Sequence, residues 1–175
     1  FDGHNVFFDE DATFGKSWGM NDYMERTGKQ LIIVGVECNH QGNCRLSEYS
    51  PVTFENAELG KIRGRGSTTM NWMVNELKPY IDEHFRTLPD RRNTILAGSS
   101  MGGLMALYGA TAYNSVFQRA ACLSPSLWVA PGKVMEMIAR ARIRPDTTIY
   151  MDYGENEMAN HVASQAVIPS AVYLL

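Results

Sequence analysis

The stretch Thr94-Ile95-Leu96-Ala97-Gly98-Ser99-Ser100-Met101-Gly102-Gly103-Leu104 decides how the rest of the chain is read. Residues 94–97 have strand character, and residues 104–113 are small and apolar, suited to a packed helix. Between them Gly98-Ser99-Ser100-Met101-Gly102 matches the pattern G-x-S-x-G. Alone, that pattern is a weak signal and more often marks only a tight turn with close packing. A strand before it and a helix after it are the context in which it reads as a nucleophile elbow. The reason is steric. A chain turning that sharply holds the serine in a strained backbone with its Oγ raised. The residues two before and two after then crowd each other, and only glycine fits. Ser100 is therefore the candidate nucleophile. The backbone N–H of Met101, at the start of the helix, is aimed where an oxyanion would develop.

Working outward, residues 31–36 are a continuous apolar run, expected as a strand buried on both faces. Met70, Met73, Val74, Leu77, Ile81 and Phe85 recur at three- and four-residue steps. They predict a helix over 70–85, bent or started late by Pro79. Residues 119–123 and 147–153 read as strands, and 133–142 as a helix following Pro131-Gly132. Strand and helix alternate along the chain. That order predicts an α/β fold, a mostly parallel central sheet with helices on both faces and right-handed crossovers. Residues 1–175 fit a single domain.

Composition excludes several classes. The net charge is −3, with 45% hydrophobic and 20% charged residues, as in an ordinary globular protein that buries its own core. An acidic balance argues against nucleic acid as a partner. No apolar run approaches the ~18 residues of a membrane span, so no membrane partner is expected. Three cysteines make no disulfide framework, and Cys38 and Cys44 have no Cys/His companions at zinc spacing. Free thiols, no metal and no cofactor are the expectation. Gly15-Lys16-Ser17 has Glu10 where a P-loop needs glycine, and Gly64-Arg65-Gly66 lacks a third glycine, so neither is a nucleotide site. Arg63 and Arg65 read as solvated side chains before they read as anion ligands. Trp18 and Trp128 divide evenly between pocket wall and core.

A serine nucleophile needs a base, and the base an orienting acid. On the fold that carries such an elbow, the acid follows the serine and the histidine comes last. The strand at 147–153 leads into Gly154-Glu155-Asn156-Glu157, so Asp152, Glu155 and Glu157 are the candidate acids. Asp152, inside the strand, suits a structural part better. The histidines fit less well. His84 lies in the predicted helix, His4 and His40 precede the serine, and His161 follows Glu157 by only four residues. His161 is a fallback rather than the expected base.

Several further blocks accompany the elbow in order along the chain. They are Asp2-Gly3-His4-Asn5-Val6-Phe7, Ser17-Trp18-Gly19, Glu48-Tyr49-Ser50-Pro51, Lys78-Pro79-Tyr80-Ile81-Asp82, Phe85-Arg86-Thr87-Leu88 and Leu123-Ser124-Pro125-Ser126-Leu127-Trp128. With Tyr150-Met151-Asp152-Tyr153-Gly154 and Glu157, the chain resembles the esterase family of α/β-hydrolases that includes enterochelin esterases, feruloyl esterase domains, S-formylglutathione hydrolase and mycolyltransferases. The likeness spans residues 1 to about 161. It implies an α/β-hydrolase fold and a serine esterase acting on a small-molecule or conjugated ester through an acyl-enzyme on Ser100. It selects Glu157 over Glu155 as the acid. It makes the backbone N–H of His4, after Asp2-Gly3, the second oxyanion donor beside that of Met101.

Family members begin with extra strands and carry their histidine between the acid and a final helix. Residues 163–175 resemble that final helix, so a segment bearing the base is expected to be missing between His161 and Ala163. The fold is accordingly expected to be incomplete at the N-terminus and near the C-terminus. Two other readings share the residues: an acyltransferase using the same site, and a non-catalytic member lacking the histidine base. A peptidase on the same fold is a more distant one. A cytoplasmic location is the expectation in the absence of a visible leader, and the sequence carries no signal for oligomeric state.

Overall fold

The computed structural model describes residues 1–154. Ahead of the sheet the chain forms two short helices, α1 (Met20–Thr27) and α2 (Cys44–Glu48), and an antiparallel pair, β1 (Phe54–Asn56) and β2 (Gly60–Ile62). The Asn56 side chain closes that hairpin by accepting the N–H groups of Glu58 and Leu59 at 2.9 and 3.1 Å.

The helix predicted over 70–85 starts earlier and is not uniform. It runs as α3 (Gly66–Trp72), a wide π turn over Met73–Leu77, and α4 (Lys78–His84). Pro79 accounts for the wide turn. It has no N–H to give to the residue four back, and loosening the preceding ladder by one residue lets the helix pass through without a break. Met70 and Met73 are buried on the stripe the sequence predicted.

The remaining elements alternate as expected: β3 (Ile95–Ser99), α5 (Met101–Ala112), β4 (Arg119–Leu123), α6 (Pro131–Arg140) and β5 (Thr148–Asp152). The strands pair in the order β3-β4-β5, parallel throughout, with Leu96 opposite Ala120 and Ala120 opposite Ile149. One row of side chains, Leu96, Ala120 and Cys122, is buried under α5. The fit is close. A Cβ on Gly109 of α5 would lie 2.2 Å from Leu96 Cδ1. Helix α5 is buried nearly all round, which explains why it is apolar on every face.

Of the helices expected on both faces, those among the described residues cover one face: on the alternate row Ile95 and Tyr150 are 52% and 57% exposed. One expectation is corrected. The apolar run at 31–36 is not a strand. Leu31, Ile32 and Val34 are exposed and only Val36 is buried. Val36 O accepts Gly3 N–H at 3.0 Å and the Tyr49 hydroxyl at 3.2 Å. An apolar run is a strand only where a second strand meets it, and none does so here among the described residues.

Among the described residues no helix is long and apolar enough to cross a membrane. All three cysteines are free thiols. Burial, with the negative charge of Asp2 beside Cys38 and of Asp152 beside Cys122, pushes both thiols up to about 12. At pH 8 only about one in ten thousand of either is thiolate. Half-buried Cys44 is therefore expected to take up iodoacetamide first in the native protein, with Cys38 and Cys122 reacting only after denaturation. Peptide mapping of the alkylated chain checks this.

Candidate active site

The elbow forms as the sequence implies. Strand β3 ends at Ser99, and Ser100 caps α5 with φ 55° and ψ −120°. Its backbone is pinned from two sides: Ser100 N–H donates to Leu123 O, and Ser100 O accepts from Ser126 N–H, both at 3.0 Å. The flanking glycines are there for lack of room. A Cβ on Gly98 would lie 2.5 Å from the carbonyl carbon and oxygen of Gly102. A Cβ on Gly102 would lie 2.8 Å from Phe1 Cβ. Ser100 itself is exposed, while Met101 behind it is buried. As the first residue of α5, Met101 carries an N–H with no acceptor earlier in its own helix.

Three non-glycine residues among those described have positive φ: Asp2, Ser100 and Ser124. All three belong to one neighbourhood. Ser124 follows β4, and its N–H donates to Asp152 O and Oδ1 at the end of β5. Asp2 Oδ2 is 3.4 Å from the position of a Gly102 Cβ. Strain of this kind costs about 1–3 kcal/mol per residue and persists where surrounding contacts over-determine it. The C-terminal ends of parallel strands are also where open α/β sheets carry their sites.

The segment around Asp2 is held firmly. Phe1 N donates to Ala97 O at 3.1 Å. The Asp2 carboxylate, buried, takes Arg45 in a two-pronged pair at 2.6 and 2.8 Å. Breaking such a pair from one side leaves a buried charge with no counterion. Arg45→Met is expected to lower stability by about 3 kcal/mol in urea denaturation. Arg45→Lys is expected to recover only part of that, because an ammonium cannot match both oxygens.

The predicted site residues divide. Ser100 and Met101 stand at the elbow. The His4 N–H donates to Glu37 Oε2 at 2.8 Å. An oxyanion reaching that N–H would have to displace the carboxylate. Burial pushes the Glu37 carboxyl up, but the N–H groups of Cys38 and His4 and the His4 ring outweigh it and hold it down at about 2. Asp152 accepts Ser124 N–H and the Tyr150 hydroxyl. His84 stacks on Tyr80 and donates to the Tyr80 carbonyl at 2.8 Å. Trp18 and Trp128 are exposed, so neither is core. Arg65 lines an open cavity of about 250 Å³ with Val36, Tyr49 and Trp72. Glu155, Glu157 and His161 lie outside the described residues.

Comparison with known proteins follows the geometry. The profile of a family described as "Putative esterase" matches residues 2–171. The chain belongs to that esterase family. Among curated proteins the chain is similar to "Uncharacterized protein YbbA" of Bacillus subtilis (strain 168), at 24% identity over 131 residues. That alignment takes in 73% of this chain and 50% of the relative, so the chain spans about half the length of the curated relative it matches. Among solved structures, the BES protein from Bacillus cereus shares 22% identity with a TM-score of 0.66, over 99% of this chain and 68% of that one. Siderophore hydrolase EstB from Aspergillus nidulans shares 16% identity with a TM-score of 0.50, over 86% and 54% of the two chains. At such identities these structures speak to the fold alone.

One neighbour of Ser100 escaped the sequence reading. Ser126 is buried, and its Oγ lies 3.1 Å from Ser100 Oγ. The block Ser124-Pro125-Ser126 directly after a parallel strand was its only trace in the sequence.

Proposed function

We propose that this chain carries the nucleophile of a serine esterase on an α/β-hydrolase fold. The observation that carries the reading is Ser100 itself: a non-glycine residue at φ 55°, exposed, at the strand-to-helix turn of an esterase-family chain. Ser100 Oγ attacks the ester carbonyl carbon while a histidine base takes its proton. The N–H of Met101 holds the developing oxyanion, joined by that of His4 once Glu37 yields it. Collapse breaks the bond to the alcohol oxygen, which leaves with the base's proton. Water, deprotonated by the same base, then attacks the acyl-enzyme and frees the acid and Ser100. Glu157 orients the histidine in this reading. In the described residues Ser100 Oγ meets Ser126 Oγ, which holds the hydroxyl in place until a base engages it. The substrate is a small-molecule or conjugated ester, and no cofactor takes part.

A fluorophosphonate probe tests this on the full-length protein. Attack on phosphorus with loss of fluoride is expected to leave one stoichiometric adduct, mapped by peptide mass to Ser100. A folded protein that takes up no probe would establish the non-catalytic reading. Given an adduct, turnover of p-nitrophenyl acetate with added alcohols separates hydrolysis from acyl transfer by the products formed.

A further inference from the structure

The geometry points to a metal site outside the nucleophile elbow: His4, Glu37 and His40 form a three-ligand centre for a divalent ion of zinc type. The proposal does not rest on the esterase mechanism. His4 lies in the 3-10 turn Gly3–Asn5, while Glu37 and His40 follow Val36. The bond from Gly3 N–H to Val36 O clamps the two segments side by side. His4 Nδ1 is 2.7 Å from Glu37 Oε1, and His40 Nε2 is 3.1 Å from the same oxygen. The two imidazoles meet edge to face with centroids 4.7 Å apart, and one ligand atom from each of the three residues lies within 4.8 Å of the others.

Bonds of about 2.0–2.1 Å to a tetrahedral ion put ligand atoms roughly 3.3 Å apart. Two of the observed separations, 2.7 and 3.1 Å, already lie near that value, and the third is within 4.8 Å. Two imidazole nitrogens and one carboxylate are a borderline donor set, suited to zinc and its neighbours rather than to calcium or magnesium, which take oxygen.

Two features set the site apart from a surface ion pair. The Glu37 carboxylate is oriented by backbone, accepting Cys38 N–H and His4 N–H, both at 2.8 Å. The His4 ring has an outer partner in Thr13 Oγ1, 2.8 Å from Nε2. In this structure Nδ1 meets the Glu37 carboxylate; metal binding moves the ring proton to Nε2, donated to Thr13, and turns the Nδ1 lone pair to the ion, the outer arrangement that metal-binding histidines share. The side chains of Glu37 and His40 are 46% and 60% exposed, so an ion reaches the site from solvent and water completes its coordination.

The test is calorimetric titration of tag-free, full-length protein with zinc chloride, supported by the visible absorption of bound Co²⁺. One saturable site per chain is expected, in the micromolar range or tighter. His40→Ala, at an exposed position that leaves the fold intact, is expected to weaken binding by about tenfold or more, and Glu37→Gln likewise. Cys44→Ser is expected to change nothing. Absence of saturable binding, or binding that His40→Ala leaves unchanged, would overturn the proposal. Because the readout is metal binding, a failed esterase assay leaves it standing.

Discussion

Ser100→Ala is expected to abolish turnover of p-nitrophenyl esters, a loss of about 10⁴-fold or more, while the protein stays folded. The size follows from what the hydroxyl does: without it no acyl-enzyme forms. The structural cost is small. The side chain gives up one hydroxyl contact, to Ser126 Oγ, worth about 1 kcal/mol. Both backbone bonds that pin residue 100 are untouched, since Leu123 O and Ser126 N–H meet its main chain. Ser100→Gly sharpens the test. Glycine adopts φ 55° without strain, so this variant is expected to melt higher than Ser100→Ala while remaining as inactive. Steady-state kinetics with thermal melts of the three proteins decide it. Retention of wild-type turnover by either variant would remove Ser100 from the mechanism.

Gly98→Ala is expected to cost about 3 kcal/mol or more and to take activity with it. The added methyl would lie 2.5 Å from backbone atoms of Gly102, which no rotamer change can relieve. Either the first turn of α5 moves away from β3 or the elbow opens, and both displace Ser100 from the Met101 N–H. Gly132→Ala is the matched control. Nothing lies within 4 Å of the Cβ it would add, at an exposed position in the first turn of α6. It is expected to shift stability by under about 1 kcal/mol, if anything upward. Urea titrations of both variants measure the contrast.

The elbow was legible because its requirements are local. A strand, a helix and two glycines with no space for a methyl all leave marks within eleven residues. Strand β4 was read to the residue, as a short, mostly apolar run at 119–123 between two helical segments. The run at 31–36 misled because apolarity shows a wish for burial and not the presence of a neighbour. Residues that meet across long sequence separations were invisible: His4 and Glu37 are 33 apart, and Ser100 and Ser126 are 26 apart. The histidine of the first block was valued for its amide alone, yet its ring makes the denser set of contacts. Cysteine-centred zinc spacing found nothing because the proposed ligands are two histidines and a glutamate from two segments far apart in sequence.

The wide turn at Met73–Leu77 has a consequence for anyone counting along this chain. One extra residue in a helix rotates everything downstream by roughly 100°. Lys78, which reaches Asp82 and the Pro89 carbonyl, owes its bearing to that added step. Met70 and Met73 are buried, whereas Leu77 and Ile81, further along the same apolar stripe, are only half-buried, so the wide turn swings the stripe partly away from the core.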